Sequence, residues 1–117
     1  MKRIDFKSVS ELMAMVDAAA IAVNHHYARL REYDEEDGHQ IYLLRQVKAA
    51  SIHEHLLRAE VNFAQCARDK KLSVIYRSSV YAAEARVHKA QAEAAMARAE
   101  QAQREYDEAD AKWMARA

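Results

Sequence analysis

Six His residues and a single Cys are the side chains in this 117-residue chain best suited to metal or nucleophilic chemistry. Imidazole, thiolate and carboxylate hold Zn²⁺ and related ions when three or four of them converge. With antiparallel helices turning near residues 37 and 71, His55 lies level with His88. Asp17 then reaches the same layer, and Glu84 sits one turn before His88. His55, His88, Glu84 and Asp17 are therefore the candidate ligands. The more specific patterns are missing: there is no H-E-x-x-H, and no pair of E-x-x-H motifs on two helices. Glu36-x-x-His39 has the right letters but straddles Gly38, and His53 and His55 are two apart and point to different faces. The balance favours packed or solvated imidazoles, with no metal and no other cofactor expected.

Cys66 falls on an apolar stripe with Ile52, Leu56 and Phe63, where a thiol is usually inert packing. A lone Cys has no intramolecular partner and fits a reducing, cytoplasmic compartment. With one Gly in the chain, a Gly-rich phosphate loop cannot be built. These readings together point away from an enzyme.

The elements that position these groups read as helices. One Gly and no Pro leave little material for the turns of β or α/β folds. The expected fold is all-α: a three-helix antiparallel bundle or helical hairpin with a long, Ala-rich, coiled-coil-like third helix, in one domain spanning 1–117. Hydrophobic residues make up 51% of the chain, but 25 residues are Ala, so the core is thinner than that share suggests.

Ser8 and Glu11 have capping-box spacing. From there Val9, Leu12, Val16, Ala19, Val23, His26, Leu30 and Tyr33 alternate at three and four, which predicts a first helix over about 9–36. Asp34-Glu35-Glu36-Asp37-Gly38 reads as the break, with Gly38 in the left-handed conformation that ends a helix. The second helix, about 39–68, carries two apolar stripes. One runs through Ile41, Ile52, Leu56, Ala59, Phe63 and Cys66; the other runs through Leu43, Val47, Ala50, Leu57, Val61 and Ala64. A helix that is apolar on two sides is touched on two sides.

The charged run 68–73 reads as the second turn, and the third helix then starts between 74 and 79 and continues to 116. From Val74 to Arg116 the seam residues alternate at four and three, through Tyr81, Ala85, His88, Ala92, Ala95, Ala99, Ala102, Tyr106, Ala109 and Trp113. A third helix of this length, against a shorter first one, predicts an overhang of roughly 15 to 20 Å carrying Tyr106, Trp113 and Met114.

Eighteen basic residues balance eighteen acidic ones, so no global field draws the chain to nucleic acid or an anionic membrane. The six-residue apolar run 18–23 is too short for a signal or a span. Charge is nevertheless uneven. Lys2, Arg3, Lys70, Lys71 and Arg77 gather toward one end of the bundle, opposite the acids at 34–37. The expectation that follows is a non-enzymatic regulator, inhibitor, adaptor or chaperone that presents helix surfaces to a protein, as a homodimer. Its anchors are Tyr106, Trp113 and Met114 on the tail and Leu57 and Val61 on the second helix. The alternative is a nucleic-acid-binding regulator working through the basic end, with a His/carboxylate metal protein third.

Overall fold

The computed structural model describes residues 8–33 and 38–116. Three helices account for nearly all of them: α1 (Val9–Leu30), α2 (Gly38–Tyr76) and α3 (Ser79–Arg116). There is no strand among the described residues. The all-α antiparallel arrangement expected from the periodicity is the one observed.

α1 starts where its cap lies. The Ser8 hydroxyl accepts the Glu11 amide at 3.1 Å, satisfying a donor that the first turn leaves open. Leu12, Val16, Ala19 and Val23 form its buried stripe. The helix ends at Leu30, six residues before the expected 36. Glu32 and Tyr33 donate to the carbonyls of Arg29 and Leu30, three residues back, so the chain tightens out of the α-helix there. An acidic run opposes the macrodipole at a helix C-terminus, which is the physical reason the helix stops early. Residues 34–37, the centre of the expected break, lie outside the described residues.

Gly38 does not take the left-handed conformation predicted for it. It opens α2, and the Arg116 guanidinium lies where a Cβ would stand, with Nη2 2.9 Å from that position.

α2 continues through the expected second turn and ends at Tyr76. Lys70, Lys71 and Leu72 are good helix formers with no breaker among them, so the charged run is a solvated helix face rather than a loop. Asp69, within this stretch, is buried and meets His88 of α3. The true turn is Arg77-Ser78. Ser78 donates its amide to the Ser73 carbonyl at 3.1 Å, and Arg77 has φ 49°. That bond and that dihedral define a Schellman stop, with Arg where Gly is the usual residue.

Moving the turn from about 71 to 77 resets the register of the whole hairpin. α2 and α3 have 39 and 38 residues and run antiparallel over their full length, within a molecule 59 Å long. Arg45 pairs with Asp110 at 2.6 Å, Lys48 with Glu105 at 3.2 Å and Asp69 with His88 at 2.7 Å, a ladder that fixes the register. Ala85, Ala92, Ala95, Ala99, Ala102 and Ala109 are the buried seam of α3, and their small side chains let it lie close on α2. The expected overhang of the third helix therefore does not exist. Residues 101–116 are matched by the start of α2.

α1, at 22 residues, is the short element. It packs on α2, where Leu12, Val16 and Ala19 meet Leu57 and Val61 in the core, with Val9 and Ala64 at its edge. Since α1 begins at that level, the hairpin runs on past it by about ten residues of α2, roughly 15 Å.

Candidate interaction surface

α2 has α1 on one side and α3 on another, as its two apolar stripes require. The α1 stripe contains Leu57 and Val61, 5% and 8% exposed. Both are core, so neither can be a partner anchor as expected. The contacts with α1 that bury them are the reason.

The other stripe is only partly covered. Ala59 and Cys66 are buried, but Leu56 and Phe63 stand 43% and 45% exposed. They continue a seven-residue spacing from Tyr42 and Ala49, which keeps all four on one side of α2. That side faces away from α1. Leu56, Ile52 and Ala49 line a groove together with Gln103 and Tyr106 of α3, whereas Val61 and Arg58 line a separate groove with Met13, Val16 and Asp17 of α1. Met96, seven residues before Gln103, adds a third half-exposed apolar side chain to the α2–α3 face. Val74, eleven residues past Phe63, extends the same stripe to the hairpin tip.

The tail anchors fall into place differently. Tyr106 is half-buried in the hairpin and lines the outer groove. Trp113 packs inside the hairpin foot, its ring 5.6 Å from that of Tyr42, with the Arg45 guanidinium 5.8 Å above it. Its aromatic surface is used within the chain. Met114 stays exposed beside it.

The hairpin tip, beyond α1, is the most exposed apolar region: Val74, Ile75, Tyr76 and Val80 are all open to solvent. Lys70, Lys71 and Arg77 ring it as exposed charges, and the Tyr76 and Tyr81 rings lie 6.2 Å apart. Lys2 and Arg3 lie outside the described residues.

The candidate metal layer is not assembled. His88 Nδ1 lies 2.7 Å from Asp69 Oδ2, and this carboxylate replaces His55 as the partner of His88. His55 sits in a pocket with Ser51, Arg98 and Gln101. Arg98 is ten residues past His88 on α3, so the two imidazoles are separated by about 15 Å along the hairpin. Asp17 lines the α1 groove, and Glu84 is exposed near the tip. The displaced turn is the cause, since each residue's shift along α2 moves its opposite number on α3. Among the described residues no group of three or more His, Cys, Asp or Glu side chains could hold a metal.

His55 is electrostatically unusual. Burial pushes its pKa below the ordinary imidazole value, and Arg98 and Arg58 act the same way, against an opposing pull from Glu54. Its Nδ1 is buried without a hydrogen-bond partner.

Fold and surface together define a class: a three-helix protein made of a long antiparallel hairpin braced on one side by a shorter helix, with an open apolar face on the other. Compared with known proteins, the chain matches no family model, no curated protein and no solved structure. Among the described residues no helix is long and apolar enough to cross a membrane.

Leu56, Phe63 and Met96 were not among the anchors that the sequence suggested. The signal for the first two was present as the second stripe of α2, which could not be assigned to α1 or to solvent before the turn was located.

Proposed function

We propose that this is a non-enzymatic protein-interaction module, a small regulator, inhibitor, adaptor or chaperone, that works through the hairpin face α1 leaves open. The observation that supports the reading is the exposure of Leu56, Phe63 and Met96 together in the middle of that face. Half-exposed apolar side chains arranged along one helix face, with a polar rim, mark interaction sites more often than isolated ones do. The polar rim is present in His53, Glu60, Lys89 and Glu100.

The test is in-cell crosslinking and capture with the tagged full chain, compared with a Leu56→Glu/Phe63→Glu variant of unchanged helix content. Loss of every specifically retained protein, the chain itself included, supports the reading. Undiminished retention removes this face from it.

A second reading, nucleic-acid binding by the tip, draws on one observation: Lys70, Lys71 and Arg77 are exposed within two helical turns, in sequence, of the Tyr76–Tyr81 ring pair. Arg68, Arg86 and Lys89 extend the basic surface. Exposed Val74, Ile75 and Val80 fit bases poorly, so it ranks second. Phosphate contacts release counterions, and such binding falls steeply with salt. Filter binding at low ionic strength decides it: no retention of single or double strands ends this reading.

A further inference from the structure

We infer that the open face is covered by a second copy of this chain, lying antiparallel across a two-fold axis near Met96. The inference rests on the interaction reading above and names the occupant of its site.

The charge of the rod is concentrated at its tip. The tip, residues 68–89, carries Arg68, Lys70, Lys71, Arg77, Arg86 and Lys89 against Asp69 and Glu84, and Asp69 is engaged by His88. At the foot, residues 38–48 and 104–116 carry Arg45, Lys48, Arg104, Lys112 and Arg116 against Glu105, Asp107, Glu108 and Asp110, a near balance in which Asp110 and Glu105 are engaged by Arg45 and Lys48. Two copies side by side in parallel would set like ends together. An antiparallel pair keeps the two basic tips at opposite ends and sets each beside the near-neutral foot of the other copy, which avoids the repulsion between tips.

The apolar pattern fits the same geometry. The ladder Arg45–Asp110, Lys48–Glu105 and Asp69–His88 places Met96 level with α2 midway between Leu56 and Phe63. A two-fold axis at that level brings Leu56 of each copy onto Phe63 of the other, with the two Met96 side chains between them. Such an interface is isologous and closed, so the assembly stops at two. Farther out, Val74 meets Tyr42 of the second copy. Lys89, on the Met96 face by its seven-residue spacing, falls between Glu100 and Asp107 of the second copy, which share that face at spacings of four and eleven. Each contact appears twice.

Sedimentation equilibrium with the full chain tests the occupant, and distances between spin labels test the direction. The wild type is expected to be a dimer, with Phe63→Glu weakening it at least about tenfold at unchanged helix content. Lys89→Glu is expected to weaken it too, more at low salt than at high, with Glu100→Lys in the same chain restoring affinity. With Cys66→Ala as background, labels at Glu93→Cys should lie close across the axis. Labels at Arg77→Cys should lie roughly 50 Å apart, since that position is some eighteen residues from the axis in each copy. Close Arg77 labels, or a dimer indifferent to Phe63→Glu, overturn the inference. A monomer at all concentrations overturns it as well. In that case the interaction reading survives only if the crosslinked partners still depend on Leu56 and Phe63, so the two can fail separately.

Discussion

His88 Nδ1 lies 2.7 Å from Asp69 Oδ2 across the α2–α3 seam, and Asp69 is the one charged side chain that is buried among the described residues, 6% exposed. An ionised carboxylate only accepts, so Nδ1 carries the proton and donates it toward Asp69. The pair pins the register at the end of the hairpin that runs on past α1.

Removing the imidazole strands the carboxylate. His88→Ala should therefore destabilise the fold by about 1 to 3 kcal/mol, the cost of an unsatisfied buried acceptor. Urea denaturation of His88→Ala, Asp69→Ala and the double variant checks the coupling. A double variant whose loss equals the sum of the two single losses would show that the residues act independently.

Arg77 sits at φ 49°, in the left-handed region, at the position of the Schellman stop that glycine fills best. A side chain there crowds its own carbonyl, at about 1 to 2 kcal/mol. Glycine relieves that but loses more chain entropy on folding. Arg77→Gly is expected to raise stability by about 0.5 to 1 kcal/mol, while Arg77→Val should lower it. Thermal melts of the two variants should move in opposite directions, and a destabilised glycine variant would refute the strain at this turn.

The half-buried imidazole of His55 gives the fold a pH dependence. Burial, chiefly, lowers its folded pKa beneath the unfolded value of about 6.5. The unfolded chain therefore binds the proton more readily. Stability is whole above about pH 6.5 and is lost as pH falls through the folded pKa. His55→Gln should flatten this loss. Urea midpoints at neutral and mildly acidic pH provide the measurement, and parallel declines in both proteins would assign the acid sensitivity to other groups.

How far the fold was legible depended on one turn. The α1 stripe, the cap at Ser8 and the Ala seam of α3 follow from spacing alone, because burial at a helix period leaves a direct trace in the residue types. The turn at Arg77-Ser78 left no such trace. A stop built from backbone bonds around a strained Arg has no Gly or Pro to announce it, and the solvated charges of Arg68, Lys70 and Lys71 resemble a loop. Every cross-helix expectation inherited that displacement: the His55–His88 layer, the overhanging tail and the exposure of Trp113. The open face shows the same dependence at finer grain. Leu56 and Leu57 are adjacent in sequence, and only the positions of α1 and α3 decide which one is buried.

That one-residue contrast is itself measurable. Leu57 lies in the cluster with Leu12, Val16, Ala19 and Val61, 5% exposed, whereas Leu56 is 43% exposed on the other side of α2. Truncating a buried Leu loses its transfer energy and leaves a cavity, so Leu57→Ala should cost about 2 to 5 kcal/mol. A surface truncation usually stays within about 0.5 kcal/mol, and Leu56→Ala should do so in dilute protein, where no second copy covers it. At higher concentration the two variants separate in a second way. Leu56→Ala should shift the self-association equilibrium while barely moving the melt of the monomer, and Leu57→Ala should do the reverse. Equal stability losses for the two in dilute solution would mean that α1 does not pack on the Leu57 side of α2, and the open face would then have to be sought on the opposite side of the hairpin.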